Sequence, residues 1–151
     1  MAPRASRLTR RRIDPARVLE SISDPGAGAL VLFLGTVRDT GEAGEVEGME
    51  YEAYGEMAER ALARVEERVR RLWPGVKGVR VVHRVGRLAV GDVSVAVAVS
   101  APHRAEAFEA CRDAIETIKE EATIWKRERT PDGRSVWVEG RPLERRRRRR
   151  A

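Results

Sequence analysis

The stretch "GVRVVHRVGRLAVGDVSVAVAVSAPHRAEAFEACRDAIETIKEE" (residues 78–121) decides the fold. "GVRVVHRVG" (78–86) and "VSVAVAVS" (93–100) are short, valine-rich runs of strand length, and the turn-like "AVGD" (89–92) lies between them. Two strands joined without an intervening helix are not a βαβ unit. About residues 103–120 then read as a helix, with Phe108, Cys111, Ile115 and Ile118 on one face.

Working outward, "EMAERALARVEERVRRLW" (56–73) is the clearest helix. Ala58, Ala61, Leu62, Val65, Val69, Leu72 and Trp73 keep its spacing, and Pro74-Gly75 stops it. "ALVLFLGTV" (29–37) reads as a central strand, "RDTGEAGEV" (38–46) as a mobile polar loop and "VEGMEYEAY" (46–54) as a further strand. "DPARVLESI" (14–22) is a short helix with Asp14 as N-cap and Pro15 at its first position. "TPDG" (130–133) marks a turn before a last strand, "SVWVEG" (135–140). Strands and two main helices that do not alternate strictly imply one α+β domain, its sheet mixed or antiparallel.

Composition narrows the class. The net charge of +6 sits in the termini: residues 1–12 carry five arginines and no acid, and residues 141–151 carry seven arginines and one glutamate. The body, 13–140, is therefore left at −5. Both termini are expected to be solvated, disordered basic segments, able to touch RNA non-specifically through phosphate contacts. An RNA-associated module working through these arms is the rival reading; the acidic body and aromatics at core-like positions oppose it. No apolar run is long enough to span a bilayer. The single cysteine, Cys111, excludes an internal disulfide and any multi-cysteine metal site, and the expected compartment is a reducing cytoplasm.

Phosphate-loop, dinucleotide and nucleophile-elbow motifs are absent, so any catalysis falls to Arg, Lys and His acting on an anion. In "SAPHRAEAF" (100–108), Ser100 is the expected N-cap and Pro102 fits the first turn, which sets His103 and Arg104 at the helix start. The helix dipole disfavours cations there, so the two either attend a bound anion or simply face water. Arg38 follows the apolar strand; it is either a ligand contact or the first solvated residue. In "TIKEEATIWKRE" (117–128), Lys119 falls in the last helical turn, where a cation is favoured anyway, and Lys126 follows the apolar pair Ile124-Trp125. They are either surface charges or a pair drawn into one cleft, where each would lower the pKa of the other. His83, alone on a strand, reads as a structural residue.

Taken in order, "FLGTVRD", "EYEAYGEMAE", "SAPHRAEAFEA", "IWKRE" and "DGRSVWVE" resemble the large, catalytic subunit of molybdopterin synthase over about residues 28–140. The resemblance implies an α/β hammerhead fold and an enzyme that converts cyclic pyranopterin monophosphate to molybdopterin. Two sulfurs would come from the C-terminal thiocarboxylate of a small ubiquitin-like partner, within a heterotetramer built on a homodimer of large subunits. It implies no metal and no cofactor. By motif, Lys119 and Lys126 match the two essential lysines, and Arg38, His103 and Arg104 match anion-binding residues. Arg127 and Glu128 flank the substrate, and Arg141 matches an arginine reaching the neighbouring subunit's site. On this expectation Arg38, His103 and Arg104 hold the phosphate, while one lysine polarises or bonds the acyl group and the other assists proton transfer. The family usually has proline where this chain has Thr123, so the turn between the lysines must be held by packing of Ile124 and Trp125.

Overall fold

The computed structural model describes residues 6–42 and 44–138. Its elements run β1 (Leu8–Thr9), α1 (Pro15–Ser21), β2 (Ala29–Thr36), β3 (Thr40–Gly41), β4 (Gly44–Glu45), β5 (Gly48–Ala53), α2 (Gly55–Leu72), β6 (Gly78–Arg84), β7 (Gly86–Ala89), β8 (Val93–Ala101), α3 (Arg104–Glu121), β9 (Ile124–Arg129) and β10 (Ser135–Val138). The α+β class holds, and the strands divide between two four-stranded sheets and a small β3–β4 ribbon. The first sheet has the order β1-β6-β8-β2, with β1 parallel to β6 and the other pairs antiparallel. The second, β10-β9-β5-β7, is antiparallel throughout.

The sheets separate because the chain leaves one for the other at Gly86. Its φ of 97° lies in the left-handed region that glycine adopts without strain. What the sequence presents as one strand before "AVGD" therefore ends at Arg84, and residues 86–89 pair with β5 in the second sheet.

Alternation along β8 builds the core. Val97 and Val99 meet Leu62, Val65 and Val69 of α2 and Cys111 and Ala114 of α3, whereas Ala96 and Ala98 meet Val18 and Ile22 on the α1 side. Covered on both faces, β8 has no need of polar alternation, which is why it reads as a continuous apolar run. Each fully buried leucine or valine contributes about 1.5–3 kcal/mol. Asp14 caps α1 as expected, its carboxylate accepting the Ala16 amide at 3.0 Å.

Several expectations change. The buried stripe of α3 is made of small residues, Ala107, Ala110, Cys111 and Ala114, which bring the helix close to the sheet. Phe108 lies outside that stripe and is 61% exposed; Leu72, at the end of α2, is exposed as well. With Tyr54, Trp125 and Trp137 also exposed, aromatics are not confined to the core. Ser100 is not a helix cap: it lies in β8, its hydroxyl donating to the Ile22 carbonyl at 2.6 Å, and His103 holds the N-cap position without a side-chain bond. The loop after Arg38 contains the β3–β4 hairpin, and a Cβ at Gly41 would overlap the Glu128 carboxylate.

The described part of the N-terminal segment is not an arm. Residues 8–9 join the first sheet as β1, and Arg7 pairs with Glu59 and with Glu66 of α2, at 3.2 and 2.7 Å. Composition alone does not reveal this, because the anchoring carboxylates lie more than fifty residues away. The tail 141–151, with Arg141, lies outside the described residues.

Candidate active site

The chain does turn between the two lysines, and it does so without proline or glycine. Helix α3 stops when Ala122 takes φ −70°, ψ 125°, its amide making a last bond to the Ile118 carbonyl. Thr123 bridges to β9, and its hydroxyl oxygen is buried without a hydrogen-bond partner. What holds the turn lies downstream: β9 pairs with β5 from Ala53↔Ile124 to Gly48↔Arg129, and Trp125 packs edge-on against Tyr54 at 5.1 Å. Of the apolar pair, Trp125 makes the expected packing contact, and pairing of β9 with β5 adds to it.

Alternation on β9 sorts its side chains. Lys126 stands opposite Tyr51 of β5 and Val138 of β10, on the face that it shares with Ile124 and Glu128. Met49 and Tyr51 line this face and cluster with Val37 and Leu88. Glu128 is 4% exposed, sits against Gly41, and one of its carboxylate oxygens has no hydrogen-bond partner. Arg127 points to the opposite face. There its guanidinium bonds Glu50 at 2.8 Å and stacks over Trp137 at 4.8 Å. Arg127 and Glu128, adjacent in sequence, therefore serve different surfaces.

The two ends of α3 matter more. Only Pro102 and His103 connect β8 to α3, and the Cys111 thiol reaches back to the Val97 carbonyl at 3.7 Å, so the helix returns along β8. Lys119 consequently sits level with the start of β8, where Val93 pairs with Thr36 of β2. Arg38 follows at that same end. Its neighbours are pinned: the Val37 amide donates to the Asp92 carbonyl at 3.0 Å, and the Asp39 carbonyl accepts the Val46 amide at 2.8 Å. The second sheet meets the first here too, through the ring of Tyr51 set edge-on to His83 at 5.1 Å. His83 stands opposite Val95 of β8. Arg38 and Lys119 thus lie toward the same end of the first sheet, and Lys126 stands in the adjoining second sheet beside Tyr51, all three exposed at the surface.

His103 and Arg104 lie at the other end, also exposed. Fifteen residues of helix separate Arg104 from Lys119, about 22 Å along the axis. Within one chain the helix-start cations and the lysines do not share a pocket, contrary to the single anion site expected from sequence. The motifs alone do not show this, because they name the residues without setting the distance between the two ends of α3.

His83 is structural, as expected. Its Nδ1–H donates to the Arg84 carbonyl at 2.8 Å, and burial pushes the ring pKa down to about 4. Tyr51, which sequence reasoning did not single out, links His83 to Lys126; its position in the 46–54 alternation was the available signal. Burial pushes its phenol above the usual range, against a hydrogen bond with Ser94. Among the described residues no His, Cys, Asp or Glu cluster could hold a metal ion, and no helix is long and apolar enough to cross a membrane.

Comparison with known proteins agrees with the motif order. The family model described as "MoaE protein" matches residues 8–121. The molybdopterin synthase catalytic subunit of Nostoc sp. is 46% identical over 121 residues, covering 80% of this chain and 73% of that protein. Molybdopterin synthase catalytic subunit 1 of Mycobacterium tuberculosis is 43% identical over 136 residues, covering 90% of this chain and 91% of that protein. The crystal structure of molybdopterin synthase from Staphylococcus aureus superposes with a TM-score of 0.82 at 39% identity, covering 87% of this chain and 95% of that one. The chain belongs to the MoaE family, whose members include the catalytic subunits of molybdopterin synthase.

Proposed function

We propose that this chain is the catalytic subunit of a molybdopterin synthase, transferring sulfur to cyclic pyranopterin monophosphate, and that its reacting centre is built around Lys119 and Lys126. The observation that carries the reading is the turn at Ala122–Thr123, which sends the chain from the last turn of α3, with Lys119, straight into β9, with Lys126. The RNA-module alternative has no support in the family relationship, although the exposed aromatics remove one objection to it.

The chemistry follows from the residue types. The thiocarboxylate sulfur forms a C–S bond to a side-chain carbon of the pterin as a C–O bond there breaks. Water then cleaves the resulting thioester, freeing the carrier as its carboxylate and leaving the sulfur as a thiolate. Negative charge develops on the departing oxygen in the first step and on the acyl oxygen in the second. Ammonium groups at Lys119 and Lys126 stabilise that charge, and either can pass a proton to a leaving oxygen. Arg38 holds the phosphate, with its backbone fixed on both sides so that the guanidinium starts from a set origin. The sulfur arrives on a separate small ubiquitin-like chain, consistent with relatives that are themselves subunits. We place the reaction in the cytoplasm, where the buried thiol of Cys111 stays reduced.

His103 and Arg104, about 22 Å from Lys119 along α3, serve the same reaction if a second copy brings its own helix start to the lysine end of the first. We therefore read the complete site as shared between two copies: Arg38, Lys119, Lys126 and Glu128 from one, His103, Arg104 and Arg141 from the other. Arg127, held by Glu50 on the opposite face, supports the sheet instead of touching substrate.

Reconstitution tests the function. The chain is mixed with a thiocarboxylated small subunit and the cyclic pyranopterin, and dithiolene formation is followed. Turnover that disappears in Lys119→Ala, with the fold retained, is the expected result. No product where a known large subunit succeeds would sink the reading.

A further inference from the structure

The segment before Ile13 does more than cover an edge. Ser6, Arg7 and Leu8 converge on Glu59: the Ser6 hydroxyl and the Arg7 amide each donate to its carboxylate at 3.0 Å, and the Leu8 amide does so at 3.1 Å. Burial alone would raise the Glu59 carboxyl, but the Arg7 amide, the Ser6 hydroxyl and the Arg7 guanidinium hold it below the usual range. The Arg7 guanidinium also reaches Glu66, which is 2% exposed and whose other oxygen accepts the Val81 amide of β6 at 3.0 Å. Arg80 adds a bond to the Ser6 carbonyl at 2.8 Å. A buried carboxylate bound by one guanidinium and one backbone amide is costly to leave half-satisfied, so the N-terminal segment is locked to α2 and β6.

The lock lies at the end of β6 where the chain crosses to the second sheet. The His83 amide donates to the Arg7 carbonyl at 2.7 Å and the Val85 amide to the Thr9 carbonyl at 2.9 Å, one residue before the crossing at Gly86. A Cβ at Gly86 would come within 3.2 Å of the Arg10 guanidinium, so the segment lies directly over the crossing. His83 carries the contact onward: its ring meets Tyr51, and Tyr51 is the direct cross-strand neighbour of Lys126. From Arg7 to Lys126 every link is a hydrogen bond, a ring contact or a strand pair.

We propose that residues 6–10 form a clasp that sets the second sheet, and with it Lys126, against the lysine end of the first, with Arg7 as the positioning residue. The proposal rests on the reading that Lys126 belongs to the reacting centre. It gives residues 6–10 a role in catalytic geometry. Remote changes that shift a reacting group by 1 Å can cost about 10²-fold in rate, and a clasp acting through one ring contact is of that kind.

The test uses the full chain. Arg7→Met risks unfolding by stranding the Glu66 charge, so it is paired with the double variant Arg7→Met/Glu66→Gln, which removes both charges and keeps an acceptor for the Val81 amide. Synthase turnover and amide hydrogen exchange are measured on each, at a temperature where circular dichroism shows the variants folded. The clasp predicts kcat lower by at least about tenfold with KM nearly unchanged. It also predicts faster exchange in residues 49–53 and 124–129 than in α3, and recovery of most of the loss by Arg7→Lys. A merely structural staple lowers the melting temperature and leaves kcat of the folded protein and exchange in those two strands alone; that result overturns the proposal. Faster exchange in both strands with unchanged kcat overturns it as well. If the wild-type chain itself shows no turnover, the functional reading fails, and exchange in residues 49–53 and 124–129 alone decides whether the clasp exists.

Discussion

A site shared between two copies predicts a specific form of complementation. One variant, Lys119→Ala, removes a reacting lysine; the other, His103→Ala/Arg104→Ala, removes the helix-start cations. All three side chains are exposed, so each variant should fold within about 0.5 kcal/mol of the parent. Each alone leaves every site of its own dimer defective. In a mixed dimer whose sites draw on both chains, one site combines both defects and the other has none. Equal co-expression makes about half of the dimers mixed, each with one intact site of two, so activity should return to about a quarter of wild type. The assay is dithiolene formation with a thiocarboxylated small subunit, with mixed dimers counted by native mass spectrometry. The expectation stands on the length of α3, which keeps Arg104 about 22 Å from Lys119 of the same chain. Activity that stays as low as that of either variant alone in a verified mixed population would refute it, since that is the outcome of two sites each built from one chain.

Two further outcomes follow from local structure. His83 is held neutral in the folded chain, with its pKa pushed from 6.5 down to about 4, so the unfolded chain takes up the proton first. Its contribution to stability should therefore fall as pH drops from 6.5 towards 4 and level off below, by about 2 kcal/mol between pH 7 and 4.5. Urea unfolding of wild type and His83→Phe at both pH values checks this; equal losses in the two proteins would contradict it. At Thr123 the preceding residue already has the extended ψ that proline demands, and the threonine hydroxyl is buried unpaired. Thr123→Pro should stabilise the chain by about 0.4–1 kcal/mol in thermal unfolding and leave kcat unchanged; a lower melting point would show that the turn relies on threonine.

Much of this protein was legible in one dimension. Periodicity of 3.6 marked α2 and α3, Asp14-Pro15 marked the start of α1, and the valine run of β8 marked a strand. These features are local: the physics that selects them acts within a few residues. Motif order then identified the family and picked out Arg38, His103, Arg104, Lys119 and Lys126. Phe108 shows the limit of the same method. The face drawn through Phe108, Cys111, Ile115 and Ile118 caught Cys111 and Ile118 but included an exposed ring and left out the buried Ala107, Ala110 and Ala114.

What only the tertiary structure decided depends on contacts between distant residues. Gly86 moved residues 86–89 to a second sheet, a choice made by pairing with β5 more than thirty residues upstream. Arg7 looked like one more charge in a basic arm until Glu59 and Glu66 came beside it. Strand alternation set Lys126 and Glu128 on one face and Arg127 on the other. The return of α3 along β8 put the helix-start cations at one end of the domain and both lysines at the other. By itself the sequence named the family and the residues proposed for its chemistry, because residue type and motif survive without coordinates. How far the helix-start cations lie from Lys119 was decided by the length and direction of one helix.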